Sequence, residues 1–319
     1  MTGPLPRDAR VYVAGHRGLV GSAIVRHLEA QGFSNLITRT RSELDLLDAH
    51  AVDELFERER PEIVILAAAK VGGILANATY PADFLYQNLM IAANVIHAAH
   101  RFDVTKLLNL GSSCIYPKHA PQPIPESALL TGPLESTNRA YAIAKIAAIE
   151  LCDAYRAQHG RSFISAMPTN LYGPGDNFDL ETSHVLPALI RKVAEAKEAG
   201  APSITVWGTG TPRREFLYVD DLAEACLFLL EHFDEAGPIN VGTGVDLSIS
   251  DLAALVCTVV GFGGDVVRDT SKPDGTPRKV LDVSKMEGLG WKADMSLSDG
   301  LRRTVEWFRD TVATQSSGP

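Results

Sequence analysis

Cysteine is scarce in this chain: Cys114, Cys152, Cys226 and Cys257 lie far apart, with no Cys-x-x-Cys and no His and Cys cluster at metal-ligand spacing. That excludes a disulfide framework and a zinc site, so no metal is expected, and free thiols fit a reducing cytoplasm. No apolar run approaches the roughly 18 residues needed to span a bilayer, so no membrane association is expected. Residues 1–10 carry two prolines and no apolar stretch, which makes a poor secretory signal and predicts a loose arm. Positive charge is also in short supply. The net charge is −9 with both signs interspersed, so no basic stripe could track a phosphate backbone, and nucleic acid is not an expected partner. Internal repeats and low-complexity tracts are absent.

What the 319 residues do contain is alternation. Strand patterns at 11–14, 35–38, 63–66, 106–110 and 163–167 are separated by helical patterns at 20–31, 51–58, 81–99 and 139–159. The strands are apolar at nearly every position, which implies burial on both faces and a parallel sheet. The expected fold is α/β, a doubly wound parallel (Rossmann) sheet with a smaller C-terminal substrate domain. The second half is less regular: a turn-rich break at 172–176, a helix at 184–198, strands at 204–207 and 214–219, and a helix at 220–231 with Asp220 placed to cap it. Helices near 250–260 and 297–311 complete it. The expected division assigns 1–175 plus about 215–242 to dinucleotide binding, with 176–214 and 243–319 holding the substrate.

Gly15-His-Arg-Gly18-Leu19-Val20-Gly21 directly follows the first strand and opens the first helix, the setting a dinucleotide-binding loop requires. Glycines there permit a tight turn and close approach of a pyrophosphate to helix N-terminal amides. About 20 residues on, where an NAD site commonly places an acid, the chain reads Thr38-Arg39-Thr40-Arg41. With Arg17 inside the loop, Arg39 and Arg41 suit a 2′-phosphate, which favours NADP (NADPH) over NAD. Asp45 or Asp48 could lie near the adenine; the sequence does not choose between them.

Tyr141 and Lys145 stand four apart in a helical pattern and so share a face. Two unit charges about 4 Å apart at an effective dielectric of about 20 interact by roughly 4 kcal/mol, and about 1.36 kcal/mol corresponds to one pKa unit. The ammonium is therefore expected to bring the phenol within reach of neutral pH, as a proton donor to a carbonyl under reduction. Ser112 and Ser113 follow the 106–110 strand, at a strand end where ligands bind in such sheets.

The glycine loop, the serine at that strand end and the Tyr141/Lys145 pair resemble the extended short-chain dehydrogenase/reductase superfamily. Five separated segments narrow the likeness: Ala-Gly-His-Arg-Gly at 14–18, Ala-Ala-Ala-Lys-Val-Gly-Gly at 67–73, Gly-Ser-Ser-Cys-Ile-Tyr-Pro at 111–117, Met-Pro-Thr-Asn-Leu-Tyr-Gly-Pro at 167–174 and Lys-Pro-Asp-Gly-Thr-Pro-Arg-Lys at 272–279. Together they resemble the GDP-L-fucose synthase family over nearly the whole chain. The resemblance implies conversion of GDP-4-keto-6-deoxy-D-mannose to GDP-L-fucose, by epimerisation at C3 and C5 and then NADPH reduction at C4. It implies that Ser112 steadies the carbonyl oxygen, Tyr141 gives the proton, and Lys145 tunes Tyr141 and holds the nicotinamide ribose. It also implies Cys114 and His184 as the acid/base pair of epimerisation; their ordinary pKa values of about 8.5 and 6.5 bracket neutrality and suit opposite roles, Cys114 as base and His184 as acid. For the nucleotide diphosphate and sugar it points to Asn170, Lys192, Trp207, Arg214 and Lys279, and for assembly to a homodimer through helices 81–99 and 139–159.

Each of these residues has a plainer reading. Cys114 could be a small apolar filler, His184 could merely begin a helix, and the dibasic pairs at 191–192, 213–214 and 278–279 could be solvated surface. Two departures from the family pattern stand out: Lys192 where arginine is common, which loses a planar fork for the diphosphate, and Ser136 where proline is expected, which predicts a looser loop before Tyr141. The runner-up function is an NAD-dependent sugar-nucleotide 4-epimerase or 4,6-dehydratase, against which Arg39 and Arg41 argue. A catalytically silent redox sensor is the alternative from another class.

Overall fold

The computed structural model describes residues 2–180, 182–272 and 274–316. The first part alternates β1 (Arg10–Ala14), α1 (Leu19–Ala30), β2 (Asn35–Ile37), α2 (Ala49–Glu59), β3 (Ile63–Leu66), α3 (Ile74–Thr79), α4 (Pro81–Arg101), β4 (Lys106–Leu110), α5 (Arg139–His159) and β5 (Ser162–Pro168). Next come β6 (Asn170–Tyr172), α6 (Val185–Glu198), β7 (Ser203–Trp207), β8 (Arg213–Tyr218), α7 (Val219–His232) and β9 (Pro238–Val241). The chain ends with β10 (Asp246–Ser248), α8 (Ile249–Val260), β11 (Asp265–Asp269), β12 (Arg278–Lys279), α9 (Ser284–Leu289) and α10 (Leu297–Ser316).

The first strand explains the layering. Val11 and Val13 join one buried cluster with Ile63, Ile65, Ile24 of α1 and Leu222 of α7, while Tyr12 and Ala14 join the opposite cluster with Val64, Leu66, Phe56 of α2 and Val95 of α4. Successive strand side chains point to opposite faces, so strands apolar throughout need helices on both sides. The resulting sheet has six strands in the order β2-β1-β3-β4-β5-β9, all parallel. β2 lies on one side of β1 and β3 on the other, so the winding reverses there and a crevice opens beyond the carboxyl ends.

After β8 the chain returns to the sheet: α7 packs on α1 and β9 adds to β5. A third buried cluster gathers α6, α8, β7 and α10 around Leu186, Ile190, Ile204, Leu252, Val256 and Leu301. The two regions share β8, whose Leu217 faces the sheet cluster and whose Phe216 and Tyr218 face the third. Among the described residues no helix is long and apolar enough to cross a membrane.

Two sequence expectations are corrected. The N-terminal arm is tethered: Gly3 N donates to Glu231 O at 2.6 Å, Arg7 pairs with the Glu231 carboxylate at 3.1 Å, and the Arg7 guanidinium lies 4.5 Å from the Phe33 ring centroid. Asp220 does not cap α7. The helix starts one residue earlier with Tyr218 as its N-cap, and Asp220, in the first turn, pairs with Arg26 of α1 at 2.9 Å. The elements that the sequence pattern did not reveal are short: α3, β6, β9, β10, β11, β12 and α9 hold no more than six residues each.

Candidate active site

The loop after β1 needs its glycines. Gly15 has φ +88°, and a Cβ there would lie 2.7 Å from Ala68 Cα; at Gly21 it would lie 2.1 Å from the Gly15 carbonyl oxygen. Gly18 is the N-cap of α1 and supplies no side-chain cap. Leu19, Val20 and Gly21 therefore sit in a first turn whose amides lack intrahelical acceptors and attract an anion. His16 Nδ1 in the same loop is buried with no hydrogen-bond partner, an orphan that a bound polar group would satisfy. These features fit a dinucleotide.

At the end of β2, Arg39 Nη2 pairs with Glu59 Oε1 at 2.5 Å and Nη1 donates to Thr38 O at 2.7 Å, which orients the guanidinium. Arg17 and Arg41 are exposed. Asp45 and Asp48 both have local work: Asp48 caps α2 by accepting from His50 N and Ala51 N, and Asp45 accepts from Leu47 N.

At the carboxyl end of β4 the chain turns into a short 3-10 segment, Ser113–Ile115, whose N-cap is Ser112; its hydroxyl accepts from Cys114 N at 3.3 Å. Tyr141 and Lys145 reach this point from α5. Ser112 hydrogen-bonds the Tyr141 side chain, the half-buried Tyr141 ring stands edge-on to Phe84 at 6.4 Å, and Lys145 Nζ lies 5.9 Å from the Tyr141 ring centroid. The shared face is as expected.

The electrostatics differ from expectation. Burial pushes the Tyr141 phenol above its ordinary value, the neighbouring Cys114 adds to the rise, and only the bond to Ser112 opposes it. Lys145 donates to the Leu110 carbonyl at 2.7 Å, and burial brings its own pKa down to about 8. Desolvation dominates at both groups, so the surrounding protein alone does not make the phenol acidic.

Cys114 lies two residues beyond Ser112, half-buried, with Asn138 Nδ2 3.2 Å and Lys279 Nζ 3.5 Å from its sulfur. Lys279 is placed by register: β12 pairs with β8, setting Lys279 beside Arg214. Two residues on, Leu281 N is anchored to the buried Glu215 carboxylate at 2.8 Å, which also accepts from Thr243 N and Gly244 N. Arg214 interacts electrostatically with Cys114. His184 is the N-cap of α6 without a capping bond; burial, then the Lys279 charge, holds its imidazole below the ordinary range.

The dibasic pairs divide their labour. Arg191 pairs with Glu195 at 2.7 Å, and Arg213 and Arg278 both pair with Asp246 at 2.9 and 2.5 Å. The second members, Lys192, Arg214 and Lys279, turn elsewhere. Lys192 Nζ lies 5.2 Å from the ring centroid of the 58% exposed Trp207, with Lys272 at 5.5 Å from the same centroid. Asn170 is engaged with the backbone, donating to Glu215 O at 2.8 Å. The loop at Ser136 forms a 3-10 turn, Ser136–Asn138, beside a Glu135 carboxylate held by Lys118 at 2.9 Å.

The model of the NAD dependent epimerase/dehydratase family matches residues 11–242. The chain is 60% identical to GDP-L-fucose synthase 1 of Arabidopsis thaliana, covering 97% of this chain and 96% of that one. It is 58% identical to the GDP-L-fucose synthase of Escherichia coli (strain K12), over 94% and 96% of the two chains. The chain belongs to the GDP-L-fucose synthase family. Among solved structures, a GDP-L-fucose synthetase from Naegleria fowleri bound to NADP superposes with a TM-score of 0.90 at 31% identity, covering 98% of this chain and 97% of that one.

Against that family background, sequence reasoning passed over two residues near the site. Asn138, on Cys114, carried a signal only in its position directly before the helix of Tyr141. Asp176, in the turn after β6, has Oδ2 buried and unpartnered, and burial raises its carboxyl to about 7. Between about pH 4 and 7 the folded state holds this proton and the unfolded state does not, so the group costs stability as pH rises through that window and the loss is complete above it. Asp176→Asn is expected to raise the unfolding free energy by on the order of 2–4 kcal/mol at pH 8, with little gain at pH 4. Denaturant melts at both pH values check this; an equal gain at each would be inconsistent with a buried acid.

Proposed function

We infer that this chain converts GDP-4-keto-6-deoxy-D-mannose to GDP-L-fucose, epimerising C3 and C5 and then reducing the C4 ketone with NADPH. The observation that carries the reading is that Cys114 adjoins both Ser112 and Tyr141, which are bonded to each other, so a base for the carbons flanking a ketone stands beside the groups that hold its oxygen.

NADPH, when bound, supplies the hydride; the residues for it are Gly15, Arg17, Gly18, Leu19, Val20, Gly21, Arg39 and Arg41, with Tyr141 and Lys145 at the nicotinamide end. Removing a proton from C3 or C5 leaves an enolate whose charge rests on the C4 oxygen, where Ser112 and Tyr141 stabilise it. Cys114 takes the proton and His184 returns one to the opposite face, which inverts the carbon. In the reduction Tyr141 gives its hydroxyl proton to the C4 oxygen, and the Lys145 cation favours the phenolate left behind. Lys192, Arg214 and Lys279 supply the positive charge a diphosphate needs on an acidic protein, Trp207 offers a flat apolar face to the base or sugar, and Asn170 is the remaining candidate for the sugar.

The division into a cofactor region, 1–175 plus about 215–242, and a substrate region, 176–214 with 243–319, is supported by the return of α7 and β9 to the sheet and by the separate third cluster. A homodimer through α4 and α5 is supported by the exposed Tyr86, Leu89 and Ile143 along those packed helices. A cytoplasmic setting is supported by the four free cysteines.

The direct test is NADPH oxidation with the GDP-keto sugar, with UDP and dTDP counterparts as controls. Stoichiometric NADPH consumption selective for the GDP compound is expected. Isolation with tightly retained NAD and no net consumption would favour the 4-epimerase reading instead.

A further inference from the structure

Asn138 closes the 3-10 turn and occupies the N-cap of α5, a position that favours asparagine because its side-chain oxygen accepts an amide of the first turn. Here it makes no such bond. The side chain turns instead to Cys114, with Nδ2 3.2 Å from Sγ, while Oδ1 is buried without a partner. The capping bond that Oδ1 would accept is thus forgone for one contact from Nδ2 to sulfur, a pattern that calls for an explanation beyond helix stability. Lys279 Nζ approaches the same sulfur at 3.5 Å from β12.

A neutral thiol sulfur is a weak acceptor, whereas a thiolate is a full anion and the form able to take a proton. Two donors converging on one sulfur match the anion. Resting on the reading of Cys114 as the epimerisation base, we propose that Asn138 and Lys279 hold this sulfur as a thiolate, with Asn138 a positioning residue that acts through it. The other ionisable groups around the sulfur are Tyr141 on α5, Arg214 on β8, Arg278 on β12 and the Lys118–Glu135 pair on the flanking loop. Lys118 is paired with Glu135, and Arg278 with an Asp246 carboxylate that it shares with Arg213; Lys279 and Arg214 are the cations that interact with the sulfur itself and favour the anion. The Lys279 charge also disfavours a proton on His184, which makes that proton easier to give to the opposite face.

Alkylation of Cys114 by iodoacetamide, followed against pH by peptide mass spectrometry, reads the thiolate directly, because Cys152, Cys226 and Cys257 are buried. Asn138→Ala and Lys279→Met are each expected to slow alkylation at pH 7 by roughly tenfold and to move the profile up by about one pH unit. Lys279→Arg is expected to keep most of the wild-type profile. Asn138→Ser, which can cap α5, serves if the alanine variant does not fold. Deuterium entry into the sugar should fall in Asn138→Ala, which leaves the diphosphate cations in place, at neutral pH and recover at alkaline pH, which a merely structural defect would not do. An unmoved profile in both variants overturns the proposal. So does a downward shift in Asn138→Ala, since it means that the amide oxygen faces the sulfur and favours the thiol. Alkylation needs no sugar, so failure here is distinct from failure of the wild-type chain to oxidise NADPH with the GDP-keto sugar.

Discussion

Tyr141→Phe abolishes ketone reduction while solvent deuterium still enters the sugar. The substitution removes a single oxygen and keeps the ring that stands edge-on to Phe84, so the fold and the approach of Lys145 survive. What is lost is the proton for the C4 oxygen. General acid catalysis contributes typically 10²–10⁴-fold, so NADPH oxidation is expected to fall by about that factor. Exchange at C3 and C5 persists because Cys114 and His184 are untouched and Ser112 still offers a hydroxyl to the enolate oxygen. Exchange is expected to slow less than reduction, because one of the two donors to the enolate oxygen remains. The readouts are NADPH absorbance and mass spectrometry of the sugar in deuterated water. Equal loss of both would mean that Tyr141 serves the whole site structurally, and undiminished NADPH oxidation would remove it from the reducing step.

Cys114→Ala does the reverse to the first half of the reaction. Without the sulfur nothing at that position takes the C3 or C5 proton, and deuterium incorporation is expected to fall by roughly 10²–10⁴-fold. Asn138 and Lys279 lose a shared partner but keep their backbone positions, since Lys279 is set by the pairing of β12 with β8. Because reduction to GDP-L-fucose follows epimerisation, product of that configuration should vanish, and any NADPH consumed should appear as a GDP-sugar reduced without inversion. Undiminished deuterium entry would rule Cys114 out as the base. The two variants thus separate the two chemistries carried by neighbouring side chains.

Much of this architecture was legible along the chain because its signals are local. Val11 to Ala14 are apolar at every position, which by itself demands cover on both faces, and Gly15, Gly18 and Gly21 mark a loop where side chains have no room. Tyr141 and Lys145 meet because four residues make about one helical turn. The polarity of their meeting was not legible. The expected acidification of the phenol assumed a partly screened ion pair, whereas burial raises Tyr141 and lowers Lys145, and burial depends on what the whole fold lays over them. Asn138 escaped notice for a related reason: its residue type and position announce a helix cap, and only the path of the chain around Cys114 diverts it.

Composition, strand pattern and loop chemistry determined the fold class, the dinucleotide loop and the residue types able to do the chemistry, since each depends on neighbours a few positions apart. Tertiary structure alone decided which charges converge. Of three dibasic pairs it spent Arg191, Arg213 and Arg278 on carboxylates and brought Lys279, 165 residues away in sequence, onto the sulfur of Cys114. Such contacts arise from sheet register and helix packing among distant segments, and electrostatic energies depend so steeply on separation and burial that no linear pattern encodes them.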